Sequence, residues 1–242
     1  MRDQNGRLVG RVVGLWRYPV KSMAGEPLAE SDVSWHGLAG DRRWAFMRDG
    51  VTESGFPWLT LREREDMSHY APSFVDPASP DRSAVIVRTP SGAIFDIMDA
   101  ALAAELQPWG ARVMKQNRGI FDTFPLSLIT TQTIAGLGER VGARLDVRRF
   151  RPNILVAAAD PAPFLEDGWV GCVLRVGDTR VRIDKRDGRC AVITIDPVTT
   201  ERDPAILRTV ARDRGGCLGV YGSTVQPGRI AVADPVFIES AA

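Results

Sequence analysis

Short β-branched and apolar runs alternate along the chain with breaks rich in Gly, Pro and Asp, a pattern that predicts many strands and few helices. Residues 8 to 16, Leu-Val-Gly-Arg-Val-Val-Gly-Leu-Trp, form the first predicted strand, and Pro19 stops its ladder. Trp44 to Met47 predict a second strand, closed by Asp49-Gly50, a frequent hairpin dipeptide. Val85 to Val87 and Ile94-Phe95 flank Ser91-Gly92 as another hairpin, whereas the Pro-rich stretch from Pro72 to Pro80 predicts a loop. Further on, Cys172 to Val176 lead through Gly177-Asp178 into Val181 and Ile183, which alternate with Arg180, Arg182 and Asp184. A last pair of strands is predicted over Arg229 to Ile238.

Three segments carry helical spacing instead. Asp99 to Gln107 is rich in Ala and Leu and is stopped by Pro108. Thr130 to Arg140 sets Ile134, Leu137 and Val141 on one face and ends at Gly142. Asp203-Pro204 combines a carboxylate cap with Pro in the first turn, ahead of Ile206, Leu207 and Val210, and Gly215-Gly216 closes that helix. No βαβ alternation and no dinucleotide glycine fingerprint are present. The fold class that follows is mainly β with a few helices (α+β), built on a β-barrel, with a soft boundary near residues 110 to 125.

Composition narrows this picture. The 242 residues suffice for one large β-rich domain or two modest ones, and 44% hydrophobic with 25% charged residues is ordinary for a soluble protein. A net charge of +1 gives no long-range pull toward nucleic acid or an anionic membrane, so any anion must be recognised by local clusters. No secretory signal is visible, and no apolar run approaches the ~18 residues of a membrane span. The three cysteines are an odd number without a CxxC pair, too few for a four-cysteine zinc or iron–sulfur site. A reducing cytoplasm is the expected location.

The candidate chemistry centres on Cys190, within Lys185-Arg186-Asp187-Gly188-Arg189-Cys190-Ala191-Val192-Ile193. A basic turn presents a soft thiol just ahead of a run that predicts a buried strand. Arg186 and Arg189 favour the thiolate, while inert burial is the alternative common for an intracellular thiol. Cys172 falls in an apolar strand pattern and is assigned to the core, and Cys217 is assigned a structural place. His36 and His69 lack companions at metal spacing, which leaves a serine triad, a zinc hydrolase or a histidine base without support.

Three basic clusters could hold an anion. Lys21-Ser22 offers an ammonium and a hydroxyl on a turn; a merely solvated turn is the alternative. Gly37-Leu38-Ala39-Gly40-Asp41-Arg42-Arg43-Trp44 lets Asp41 hold one arginine in a fixed pose; the alternative is an ordinary ion pair in a Gly-rich connection. In Val147-Arg148-Arg149-Phe150-Arg151-Pro152-Asn153, strand alternation would set Arg149 and Arg151 on one face, and Asn153 could meet a heterocycle edge. A charged outer strand face is the alternative there.

Taken in order, Tyr18-Pro19-Val20-Lys21-Ser22, Gly37-Leu38 with Asp41-Arg42 and Trp44, Asp122 to Pro125, Phe150-Arg151-Pro152-Asn153, Gly188-Arg189-Cys190, Asp196-Pro197 and Tyr221-Gly222 resemble the MOSC family. That family is named for the molybdenum cofactor sulfurase C-terminal domain, and the N-terminal motifs resemble its β-barrel companion. The similarity extends to the branch containing amidoxime-reducing components and their bacterial counterparts. It implies a MOSC β-barrel over residues 121–240 packed with an N-terminal β-barrel-like domain over residues 7–120.

The resemblance further implies the molybdenum cofactor (Mo-molybdopterin), with no role for pyridoxal phosphate. Cys190 would be the catalytic metal ligand. Lys21, Ser22 and Arg42 would grip the cofactor phosphate, and Arg151 and Asn153 would contact the cofactor. Arg189 would flank the metal ligand, Tyr221 would line the site, and Thr123 falls beside a cofactor-contacting turn. Phe124 stands where relatives often carry a small hydroxyl residue, which removes a contact there.

The implied reaction is oxygen removal from a small N-hydroxylated substrate. The chain lacks the cysteines of an iron–sulfur domain, so electrons would come from a separate iron–sulfur or flavin reductase. The alternatives are a non-catalytic carrier or storage protein for the cofactor, and sulfur transfer through a Cys190 persulfide. The persulfide is the weaker alternative, because Cys190-Ala191-Val192-Ile193 offers no tight loop of backbone donors around the sulfur.

Overall fold

The computed structural model describes residues 6–51, 55–107 and 110–239; Pro108, the predicted stop of the first helix, lies outside them. The first part of the chain supplies β1 (Arg7–Arg17), β2 (Glu26–Leu28), β3 (Glu30–Ser34), β4 (Gly37–Leu38), β5 (Trp44–Arg48), β6 (Ala71–Phe74), β7 (Val85–Arg88), β8 (Ile94–Asp96), α1 (Ala100–Leu106) and β9 (Ala111–Lys115). The second supplies β10 (Leu126–Thr130), α2 (Thr131–Val141), β11 (Ile154–Ala158), β12 (Val173–Val176), β13 (Thr179–Gly188), α3 (Pro204–Arg214), β14 (Cys217–Gln226), β15 (Gly228–Ala231) and β16 (Pro235–Glu239). The fold is mostly β, as the patterning predicts.

Among the described residues, seven strands close into a barrel in the order β11-β10-β14-β13-β12-β16-β1, with β1 returning to β11. Every pairing in the ring is antiparallel except β10 with β11. Closure leaves the ring no free edge. β1 is therefore an integral stave, although it comes from the opposite end of the sequence to most of its neighbours. Two register shifts, at Leu8/Gly10 and Val12/Gly14, change the phase of its alternation. Val9, Val12 and Leu15 all reach the barrel core as a result, alongside Leu126, Val156, Leu174, Ile183 and Val220.

The remaining N-terminal strands build smaller sheets around a second core of Phe46, Met67, Tyr70, Val85, Val87 and Leu102. β15 crosses back to pair with β3, a second exchange between early and late chain. Gly37 (φ +87°) lets β4 approach the Pro125 carbonyl so closely that a side chain would collide with it. A third core lies under α2 and α3. Both helices have the ends expected from sequence: Thr130 and Asp203 cap the N-termini, and Gly142 and Gly215 adopt the left-handed conformation at the C-termini.

Several local expectations are corrected. Pro72 lies in β6 rather than a loop, tolerated because β6 is an edge strand that pairs only with β7. Val147–Arg149 and Ala191–Thr194 are 3₁₀ turns, not strands. Each turn follows a tight change of direction that a propensity for extended structure does not register. β15 and β16 do not pair with each other, because each finds a partner from the N-terminal part. His69 ends a 3₁₀ turn. Cys172 is only half-buried, just ahead of β12. No helix among the described residues is long and apolar enough to cross a membrane.

A chain beginning at residue 121 would lack β1 and leave β11 and β16 unpaired on one side. Losing the burial of three aliphatic side chains of β1 against the barrel core forfeits about 1.5–3 kcal/mol each, comparable with the whole stability of a domain, about 5–15 kcal/mol. The fragment 121–240 alone is expected to show no cooperative thermal transition by circular dichroism. Co-expression with a segment carrying β1 and β2 is expected to restore one.

Candidate functional site

The site grows from the chain reversal that follows β1. After Arg17 the backbone runs beside β5, where Lys21 N–H donates to the Trp44 carbonyl at 2.8 Å, and Ser22 takes a left-handed conformation (φ +68°). Arg42, also left-handed at φ +46°, donates its backbone N–H to Tyr18 O at 2.6 Å. Asp41 Oδ1 accepts the Tyr18 N–H at 2.7 Å, and its Oδ2 pairs with Arg42 Nη1 at 2.9 Å.

Both partners of that ion pair are buried, so water cannot complete their hydrogen bonds and the protein must. Arg42 Nη1 also donates to Asn153 Oδ1 at 3.1 Å, Nη2 to the Arg151 carbonyl at 3.0 Å, and Nε pairs with Asp122 at 3.0 Å. Four of the five N–H groups of a guanidinium are thereby engaged within the protein. Arg42 is thus mainly a hub, with one N–H left for a ligand. Burial pushes the Asp41 carboxyl up despite Arg42, and pushes the Tyr18 hydroxyl up to about 12. The Arg42 and Arg151 guanidinium groups both stack on the Tyr18 ring, at 4.8 and 4.3 Å.

Beside the hub opens a cleft of about 430 Å³. Its cationic lining is Lys21, Arg42, Arg62, Arg149, Arg151 and Arg189, against the carboxylates Asp122 and Asp187. Arg42, Arg149 and Arg189 have carboxylate partners in Asp41, Asp196 and Asp187. Among the described residues, Lys21 and Arg151 have no carboxylate at ion-pair distance; Lys21 Nζ donates to the Phe121 carbonyl at 2.7 Å. Arg62 also lacks a carboxylate at that distance, and Lys21 and Arg151, beside the Ser22 hydroxyl with only Asp122 acting on them from further off, form a site for an anion. Burial lowers the Lys21 pKa, which Asp122 opposes. Burial also works against ionisation of Asp122, yet Arg42 and Lys21 outweigh it and hold that carboxyl below its usual range.

The facing wall comes from the barrel. β13 ends at Gly188, whose partner on β14 is Cys217, and the chain then turns through Arg189 to Cys190. Arg189 fixes this turn: Nε donates to the Leu218 carbonyl at 2.7 Å, Nη1 to the Phe150 carbonyl at 2.8 Å, and Nη2 pairs with Asp187 at 2.9 Å. Gly219 (φ +73°) leaves room for that guanidinium, which a side chain there would crowd. Cys190 caps the 3₁₀ turn that follows and is exposed at the cleft, which corrects the alternative of inert burial. Arg186 points elsewhere, pairing with Asp167 at 3.0 Å.

Of the residues expected from sequence, Lys21, Ser22, Arg42, Thr123, Arg151, Arg189, Cys190 and Tyr221 all line this one cleft. Asn153 does not. It is fully buried behind the wall, its Oδ1 accepting from Arg42 and the Ser127 N–H and its Nδ2 donating to the Trp16 carbonyl at 3.2 Å. Its amide is used up in positioning Arg42, so a direct contact with a ligand is not available to it. Arg149 and Arg151 share the lining, but through a 3₁₀ turn and a left-handed Arg151 (φ +50°) rather than strand alternation. Phe124 stacks on Tyr221 at 5.4 Å and fixes its ring. Sequence reasoning missed Arg62, Phe56 and Trp58, which reach the cleft from the segment after β5, and the role of Asp187. Only Asp187, inside the basic turn before Cys190, carried a local signal.

Residues 115–237 match the family model described as MOSC domain, and residues 9–115 match that of the MOSC N-terminal beta barrel domain. Human mitochondrial amidoxime reducing component 2 is 26% identical over 283 residues, an alignment spanning 95% of this chain and 83% of that protein. Human mitochondrial amidoxime-reducing component 1 is 26% identical over 286 residues, with the same coverage. The molybdenum cofactor sulfurase of Danio rerio is 36% identical over 77 residues, 31% of this chain and 9% of that protein. The crystal structure of the YuaD protein from Bacillus subtilis shares the fold, with a TM-score of 0.55, 13% identity and 98% of each chain covered.

Removing the hub's carboxylate tests how the cleft is held. Asp41→Ala would leave Arg42 buried with only Asp122 to oppose it, a loss of about 3–5 kcal/mol. Asp122→Asn removes a partly exposed partner and is expected to cost about 1 kcal/mol or less. Urea unfolding midpoints of the two variants measure the difference.

Proposed function

This chain belongs to the MOSC domain family, and from that membership and its cleft we propose a molybdenum-cofactor-dependent reductase of N-hydroxylated compounds. The observation that carries the reading is one exposed thiol, Cys190, lining the same cleft as Lys21 and Arg151, two cations with no carboxylate at ion-pair distance among the described residues. A molybdopterin cofactor is a polar heterocycle with a terminal phosphate and a soft metal, and the donor set matches each part. Cys190 is the soft ligand for the metal, by extension of the softness rule for first-row ions. Lys21, Arg151, the Ser22 hydroxyl and the remaining N–H of Arg42 suit the phosphate. The buried Oδ1 of Asp187, which makes no well-formed hydrogen bond within the protein, can accept a hydrogen bond from within the cleft.

When bound, the molybdenum centre supplies the two-electron chemistry that breaks the N–O bond. The chain's own residues orient and shield. Arg189 holds the Cys190 turn against β14, so the sulfur keeps its place as charge on the site changes. Phe56, Trp58 and Phe121 form an aromatic side of the cleft, with Trp58 and Phe121 packed edge to face at 4.7 Å, and suit an apolar substrate body. In this reading electrons arrive from a separate iron–sulfur or flavin protein, and the enzyme works in the cytoplasm, in keeping with its few unpaired cysteines.

Protein purified from a host that makes the cofactor is expected to carry near-stoichiometric molybdenum by plasma mass spectrometry. Such protein, with an artificial reductant, is expected to convert an aromatic amidoxime to the amidine. Cys190→Ala is expected to abolish turnover. Lys21→Ala and Arg151→Ala each remove a charge-assisted contact of about 1.5–3 kcal/mol and should weaken cofactor retention roughly 10- to 100-fold. Molybdenum-free protein from that host would refute cofactor binding, and loaded protein without turnover would leave a carrier.

A further inference from the structure

Asp187 is more than the counter-ion of Arg189. It is 1% exposed, and Arg189 engages only Oδ2, at 2.9 Å. Oδ1 is buried and makes no well-formed hydrogen bond within the protein, the Tyr221 hydroxyl being the side-chain group that acts on the carboxyl besides Arg189, although the residue lines the same cleft as Cys190. A carboxylate kept solely to balance Arg189 would have no reason to hold an unsatisfied oxygen there, since burial penalises it. From β14 the Tyr221 hydroxyl stands beside the carboxyl, its ring held by Phe124. The other charged groups facing it are Asp122 and Arg42 across the cleft.

The cleft chemistry gives such an oxygen a task. Reduction of an N–OH group breaks one N–O bond, forms one N–H bond and releases the oxygen as water. Two electrons and two protons are consumed. The electrons come from the separate electron-transfer protein, whereas the protons must enter through groups lining the cleft.

We propose that Asp187 is the proton donor of this site, passing a proton from Oδ1 to the departing oxygen and regaining one from solvent along the Tyr221 hydroxyl. The inference rests on the reductase reading above. Burial pushes the Asp187 carboxyl up to about 6, against the pull of Arg189 and of Tyr221. The acid is thus available in mildly acidic to neutral solution, and Arg189 on Oδ2 stabilises the carboxylate left after donation. Neither state is stranded.

The test uses molybdenum-loaded wild type, Asp187→Asn and Asp187→Glu. A donor must be protonated to act, so wild-type kcat should fall as pH rises through about 6. Asp187→Asn should lose that limb, keep its molybdenum, and run slower by a factor on the order of 10²–10⁴. Asp187→Glu should recover the limb. Infrared difference spectra, wild type minus Asp187→Asn, should show a protonated carboxyl band that disappears as pH rises across the same range, independently of turnover.

The proposal is overturned if Asp187→Asn keeps the wild-type pH limb, if the carboxyl band is missing at acidic pH, or if the variant loses its molybdenum. The last result would make Asp187 a cofactor anchor. Loaded wild type that turns over no amidoxime would instead refute the reductase reading itself.

Discussion

The buried pair of Asp41 and Arg42 is the constraint around which the rest is arranged. Two ions withdrawn from water are stable only if every lone pair and N–H finds a partner, and one local segment cannot supply them all. Tyr18 comes from just after β1, Asp122 from the connection between β9 and β10, and Arg151 and Asn153 from the approach to β11. The pair therefore stitches early chain to late chain. The unusual backbone at Arg42 and Arg151, both with positive φ, lies within this network, where several contacts over-determine it.

That arrangement divides the arginines by task. Arg42 and Arg189 direct most of their N–H groups to backbone carbonyls and carboxylates and so build the walls. Arg43 does the same with Asp81 and the Gly119 carbonyl. Lys21 and Arg151 line the cleft with no carboxylate at ion-pair distance among the described residues. A chain with a net charge of only +1 can thus offer a strongly cationic hollow, because recognition depends on which cations lack partners rather than on how many exist. The thiol lines the same cleft, on a turn that Arg189 ties to the barrel.

Local physics made much of this legible in the sequence. Strand runs, Asp203-Pro204 and the glycines after α2 and α3 announce themselves through alternation, capping and left-handed ends, which depend on a few neighbouring residues. The motif residues could also be listed, and eight of the nine expected site residues line one cleft. The ninth, Asn153, is on the same network but behind the wall. Residue type made it a good ligand contact, whereas burial decided that its amide is consumed by Arg42 and Ser127.

The sequence by itself determined the composition of the site: a soft donor in a basic turn, clusters of local cations, strands enough for a barrel, and family motifs in a telling order. Tertiary structure alone decided that β1 closes the barrel of the later region and that β15 completes a sheet of the earlier one. It also decided that Cys190 precedes a 3₁₀ turn at an open cleft, and that Asp187 holds one oxygen without a well-formed hydrogen bond. The physical reason is range. Alternation and capping act between neighbours in sequence, but whether a charge is compensated or a thiol exposed depends on groups more than a hundred residues away.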